Sequence, residues 1–153
     1  MVESASVNLR PARPDEAAAI ADLVRRAYAI YAPRMDRPPA PVLADYPALI
    51  SRGVVDVLPD GDRLVGVLVM WPEGDHLFVE NIAIDPADQG KGIGRQLMRF
   101  AESRAQALGL TAVELYTNVV MTENLAFYAR LGFVEVDRRQ DEGYQRVFMR
   151  KVL

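Results

Sequence analysis

The spacing of apolar positions changes several times along the chain, and each change predicts an element. Ile20, Leu23, Val24, Ala27 and Tyr28 recur at helical intervals. Pro14 stands where a helix can begin, and Asp15 and Glu16 occupy its first turn, where acidic side chains suit the positive end of the helix dipole. This predicts a helix from Pro14 to about Tyr31 that stops before Pro33. Residues 7–12 ahead of it read as a first strand. Four prolines fall between positions 33 and 41, which predicts a loop. Residues 42–52 read as a second helix, with Gly53 as its stop.

The pattern then turns to strands. Residues 54–58 open a three-strand meander, and Asp60-Gly61 marks a hairpin. Residues 64–71 form an apolar run that suits burial on both faces. A turn over 72–75 leads into a strand over 77–84. Beyond a glycine-rich stretch, Ile93, Leu97, Phe100, Ala101, Ala105 and Leu108 share one helical face, and Gly109 ends that helix. Residues 112–117 alternate Val113 and Leu115 with Glu114 and Tyr116, as a strand does. A short helix over about 122–131 closes at Gly132, and 133–137 with 146–151 complete the sheet as an antiparallel pair. The order β-α-α-β-β-β-α-β-α-β-β describes a mixed sheet of the α/β (α+β mixed) class. Strand 112–117 follows strand 77–84 through a crossover helix and is expected to run parallel to it. Ligands of such sheets bind beyond the carboxyl ends of the parallel strands. No repeat, low-complexity tract or linker interrupts the pattern, so one domain over 1–153 is expected.

Composition narrows the chemistry. With 153 residues, half of them hydrophobic and a quarter charged, the chain can bury a sizeable core. Its net charge of −3 argues against a nucleic-acid surface. There is no cysteine, which excludes disulfides, thiolate metal sites and an acyl-cysteine route. No apolar run is long enough to span a bilayer, and no signal segment is evident, so a cytoplasmic location is expected.

Between the strand and the crossover helix lies Asp85-Pro-Ala-Asp-Gln-Gly-Lys-Gly-Ile-Gly94. Glycines let a backbone approach a ligand closely, and the free N–H groups of a helix N-terminus favour an anion such as a phosphate. A nucleotide P-loop would need Ser or Thr after the lysine, but Lys91 precedes Gly92. The dinucleotide fingerprint would need G-x-G-x-x-G directly after the strand, and neither spacing nor position fits.

The stretch Gln89-Gly90-Lys91-Gly92-Ile93-Gly94 resembles the acyl-CoA-binding signature Gln/Arg-x-x-Gly-x-Gly/Ala of the GNAT superfamily of N-acetyltransferases. The preceding ENIAIDP and the later NLAFYARLGF resemble that family too, and the likeness runs from about residue 7 to the C-terminus. It implies a GNAT fold in which the two parallel strands splay apart. The pantetheine arm of acetyl-CoA would lie in the gap, along the backbone edge of Ile82, Ala83 and Ile84. The same resemblance assigns Gln89 to Gly94 to the pyrophosphate, with Lys91 and Arg95 supporting a phosphate or remaining solvated charges. It assigns Asn124 to the pantetheine arm. Tyr128, one helical turn later, would donate a proton to the leaving sulfur or else pack against Phe127 and Phe133.

Glu80 would be a general base or an anchor for the substrate ammonium; the plain alternative is a carboxylate paired with an arginine. The acceptor site should draw on residues 28–46 and the final hairpin. Tyr28 and Tyr31 could line it, and Arg34, Arg37 and Asp45 could read charge. His76, Met70 and Trp71 suggest no chemistry. The expected activity is acetyl transfer from acetyl-CoA (coenzyme A) to a primary amine of a small molecule or peptide. Neither nucleic acid nor membrane is expected as a partner, no metal is expected, and a homodimer stays open. A non-catalytic acyl-CoA-binding or sensing module is the alternative.

Overall fold

The computed structural model describes residues 8–153. Seven strands form one sheet in the order β1-β2-β3-β4-β5-β7-β6. The strands are β1 (Arg10–Pro11), β2 (Val55–Asp60), β3 (Arg63–Glu73), β4 (His76–Ile84), β5 (Ala112–Asn118), β6 (Val134–Asp141) and β7 (Tyr144–Val152). The helices are α1 (Ala17–Ala27), α2 (Tyr46–Ser51), α3 (Ile93–Ala107) and α4 (Thr122–Arg130). All neighbouring strands pair antiparallel except β4 and β5, which are parallel as expected.

Several boundaries differ from the expectation, each for a local reason. The first strand shrinks to Arg10–Pro11; Val7 lies outside the described residues. The helix expected from Pro14 to Tyr31 divides into a 3-10 turn at Pro14–Glu16, α1, and a second 3-10 segment at Ala29–Arg34. Pro33 sits inside that last segment rather than beyond it. It has no N–H to offer Ala29, so the chain tightens into i to i+3 bonds such as Tyr31 N to Tyr28 O at 3.0 Å. The helix expected over 42–52 starts only at Tyr46. Asp45 caps it, its carboxylate accepting from Ala48 N at 3.1 Å, while Ala40–Leu43 forms a separate 3-10 turn. The final hairpin is longer than expected because Glu142 and Gly143, at φ 52° and 85°, make a tight turn that joins β6 and β7 directly.

The apolar run of β3 is buried on both faces. Val67 and Val69 meet Ile20, Leu23 and Val24 of α1 with Tyr46 and Ile50 of α2. Leu68 and Met70 meet Met98, Ala101 and Ala105 of α3 on the other side. Helices therefore cover both faces of the central strands.

Two irregularities shape the middle of the sheet. On β4, Val79 faces Met70 and Asn81 faces Val69, so Glu80 is an extra residue at a β-bulge. The bulge reverses the strand's phase. Leu77 and Val79 pack toward α3, whereas Asn81 and Ala83, an even number of residues further on, turn to the α1 side. In addition, β4 and β5 pair only from His76 with Ala112 to Val79 with Leu115. Past that point Asn81–Ile84 stays paired with β3 and Tyr116–Asn118 with β7, so the two strands part between them. Among the described residues no helix is long and apolar enough to cross a membrane.

Leu68 is fully buried on the central strand. Leu68→Ala should destabilise the fold by about 2–5 kcal/mol, through lost transfer energy and the cavity it leaves. A urea unfolding midpoint read by circular dichroism checks this, and an unchanged midpoint would refute the packing described.

Candidate active site

The glycine loop begins where β4 ends. Asp85 N donates to Val65 O at 2.9 Å, and the Asp85 carboxylate accepts from Ala87 N at 2.9 Å, starting a 3-10 turn at Pro86–Asp88. Gln89 turns back and donates to Ile84 O at 3.2 Å. Gly90 and Gly92 then take φ of 83° and 79°, and Gly92 is the residue before the first turn of α3. Side chains other than glycine rarely adopt that backbone, so the left-handed conformation explains both residues. A Cβ at either position would meet nothing within 4 Å, so the space over these backbones is open. Gly94 does different work: a Cβ there would stand 3.1 Å from Cζ of Phe127, so this glycine lets α4 close on α3. An open, glycine-lined backbone before a helix N-terminus fits a pyrophosphate.

An ion network supports the loop from below, and its pairings are not visible in the sequence. Arg26 of α1 binds Asp85 at 2.8 Å, Arg63 of β3 binds Asp88 at 2.9 Å, and Lys91 binds Asp88 at 3.2 Å. Asp88 is buried, and the guanidinium of Arg63 holds its carboxyl below the usual range. Lys91 is thus tied to the loop's own acid while its side chain remains largely exposed. Arg95 borders the same cleft.

Two cavities open where β4 and β5 part. The first runs along Ile82, Ala83 and Ile84 to Gly90, Gly92 and Gly94. The second lies on the α1 and α2 side of the bulge, against Glu80, Asn81, Tyr116 and Arg146. Tyr28, Ile82, Asn124 and Tyr128 line both, so the cavities meet there. Tyr128 is buried, with its ring centroid 5.4 Å from that of Phe127 and 6.0 Å from that of Phe133. Its hydroxyl has no hydrogen-bond partner among the described residues, and burial pushes the phenol's pKa well above its usual value. The packing role and a position facing the junction therefore coexist in one residue.

Asn124 accepts from the Tyr31 hydroxyl at 3.2 Å. Tyr31 borders the glycine-loop cavity and not the second one, so it sits on the other side of the junction from the place expected for an acceptor residue. Tyr28 lies at the junction itself and donates to Asn81 Oδ1 at 2.9 Å. Asn81 in turn donates to the Tyr46 hydroxyl at 3.1 Å, and Tyr46 to Pro41 O at 2.6 Å. Arg34 grips Glu123 at the start of α4 through two bonds of 2.7 Å. Arg37 stacks over the Tyr144 ring at 4.1 Å, and Asp45 is the cap of α2.

Glu80 is half-buried and forms no ion pair with an arginine among the described residues; it accepts from the Tyr116 hydroxyl at 2.7 Å. Burial raises its pKa, against the opposing effects of the Tyr116 bond and the charge of Arg146. Raising a carboxyl moves it toward the range in which it exchanges protons near neutral pH. Tyr116, Arg146, Asn81 and Tyr46 were not foreseen as site residues. Alternation along residues 112–117 puts Tyr116 on the face opposite Val113 and Leu115, but its place beside Glu80 follows from the register of β4 with β5, in which Val79 faces Leu115. Among the described residues no cluster of acids or histidine could hold a metal ion.

The sequence profile of the GNAT acetyltransferase family matches residues 18–133. The chain belongs to this family. It is 33% identical over 70 residues to an IAA acetyltransferase of Azospirillum brasilense, a stretch covering 46% of each protein. It is 36% identical over 84 residues to the streptothricin acetyltransferase of Streptomyces lavendulae, covering 54% of this chain and 44% of that one. The chain thus spans about half the length of these curated relatives. The PaiA N-acetyltransferase of Thermoplasma acidophilum, solved in complex with coenzyme A, superposes with a TM-score of 0.81 at 16% identity, over 97% of this chain and all of that one. That likeness shows the fold.

The Tyr116 bond favours the charged form of Glu80. Tyr116→Phe keeps the ring face under Arg146 and removes the bond, so the Glu80 pKa should rise further. Carboxyl titration by NMR on glutamate-labelled protein reads this directly. A midpoint that stays put or falls would mean the bond has no such role.

Proposed function

We propose that the protein is an N-acetyltransferase that moves an acetyl group from acetyl-CoA to a primary amine of a small molecule or peptide by direct transfer. It would act as one domain over residues 1–153 in the cytoplasm. The observation that carries this reading is the meeting of the two cavities at Tyr128, with an open glycine-lined backbone on one side and Glu80 on the other. Family membership supports the donor, and the absence of cysteine leaves no residue for an acyl-thioester on the protein.

In this reading the donor supplies an activated acetyl thioester, and the chain supplies position and protons. The backbone of Gly90 to Gly94 faces the pyrophosphate, with Gln89 fixing the loop and Lys91 and Arg95 at its rim. The edge of Ile82 to Ile84 that β5 leaves free offers backbone donors and acceptors to the pantetheine amides. Asn124 is poised by Tyr31 to do the same from α4. Holding both reactants at the junction supplies a large share of the acceleration. Glu80 takes the proton the ammonium must lose, aided by a pKa raised through burial. Tyr128 stays protonated at every physiological pH and gives its proton to the sulfur as the carbon–sulfur bond breaks and the carbon–nitrogen bond forms.

Acetyl-CoA should raise the melting temperature, because a ligand that binds only the folded state stabilises it. A panel of primary amines should then reveal turnover. Tyr128→Phe should lower kcat about a hundredfold or more while the thermal shift persists. A shift without turnover of any amine would favour a sensing module, and no shift at all would remove the donor assignment. Wild-type kcat in Tyr128→Phe, measured where chemistry limits the rate, would return Tyr128 to packing alone.

A further inference from the structure

The second cavity contains one cation whose hydrogen bonding is half complete. Arg146 lies on β7 opposite Asn118, at the end of β5 that has left β4. It lines the cavity, yet its side chain is only 5% exposed. Its guanidinium lies over the Tyr116 ring at 4.0 Å and the Tyr144 ring at 5.3 Å. Nη1 donates to Asp141 and Glu142, each at 2.9 Å. Among the described residues nothing accepts from Nε or Nη2. Those two nitrogens form the edge of a guanidinium that binds a carboxylate through two parallel bonds. A buried charged donor without an acceptor is costly, so a ligand oxygen is the natural complement.

The rest of the cavity limits what that ligand can be. The charged residues on its wall are Glu80 and Arg146, separated by Tyr116, whose hydroxyl binds Glu80 and whose face carries Arg146. The roof is apolar: Met35, Pro39 and Pro41, with the proline segment tied down by Tyr144 to Pro38 O and Tyr46 to Pro41 O, both at 2.6 Å. Apolar walls strengthen an ion pair inside them. An acceptor with a second positive group would meet Arg146 with like charge, while one with a negative group would meet it with a matched fork.

We propose that the amine acceptor carries a carboxylate, held by the Nε and Nη2 edge of Arg146 while its amine reaches Glu80. This rests on the acetyltransferase reading above and specifies its substrate class. The test compares matched pairs: straight-chain amino acids from glycine to longer ω-amino acids, and glycyl dipeptides, each beside its own carboxamide, with acetyl-CoA as donor. The best acceptors should be carboxylates, each exceeding its carboxamide in kcat/KM by at least about tenfold, the scale of one charge-assisted bond left unmade. Arg146→Lys keeps a charge but loses the fork. It should raise KM for the carboxylates about tenfold and leave KM for the carboxamides and for acetyl-CoA unchanged. Carboxamides used as well as their carboxylates by the wild-type protein would overturn the proposal, and that comparison stands even if Arg146→Lys fails to fold. Turnover of other amines with none of the carboxylates would overturn it as well. No turnover of any amine would instead overturn the acetyltransferase reading on which it rests.

Discussion

The separation of β4 from β5 after Val79 and Leu115 is the constraint on which the site depends. Two parallel strands that stayed paired would satisfy each other's backbone and leave no room between them. Their parting exposes one edge of Asn81 to Ile84 while β3 still holds the other. It also opens a slot that α4 enters with Asn124 and Tyr128. The bulge at Glu80 sits at the same point, so the strand changes phase where it loses its neighbour. The phase change sends Asn81 to the α1 side, while the register of β4 with β5 sets Glu80 against Tyr116.

Side-chain hydrogen bonds, buried and exposed, tie together the elements that border the gap. Asn81 is held between Tyr28 and Tyr46, and Asn124 by Tyr31. Arg34 and Glu123 clamp the start of α4 to the 3-10 segment that continues α1. These contacts replace the strand-to-strand ladder with side-chain bonds from elements far apart in sequence. Buried polar networks of this kind specify one arrangement when every member is satisfied. The Tyr128 hydroxyl and the Nε and Nη2 edge of Arg146 have no hydrogen-bond partner among the described residues, and both residues line cavities. In the proposed reading they offer their bonding capacity to the substrates.

Much of the fold was legible because local signals agreed. The double-faced apolar run of β3, the one-sided stripe of α3 and the stops at Gly109 and Gly132 all correspond to observed elements. The parallel relation of β4 and β5 followed from the crossover helix. What could not be read depends on three-dimensional neighbours. Nothing in Val79-Glu80-Asn81 announces a bulge, since alternation alone would put Leu77, Val79, Asn81 and Ala83 on one face. Pro33 was read as a helix stop, but a 3-10 turn absorbs it. The glycine loop was visible as a motif, yet the distinct reason for Gly94 required Phe127 from a helix some thirty positions later. Arg146 was invisible as a site residue because the burial that makes its free edge meaningful comes from Tyr116 and Tyr144.

The central claim is that the free edge of β4 receives the acyl donor. Backbone hydrogen exchange of residues 80–84, measured with and without acetyl-CoA, tests it most directly. The amides already bonded to β3 are protected in either state, so the informative ones lack a β3 partner. The account predicts that these slow on addition of the donor, together with the amides of residues 90–94. Slowing in the loop with no change along β4 would contradict it, since the donor would then be held by its phosphates without entering the gap.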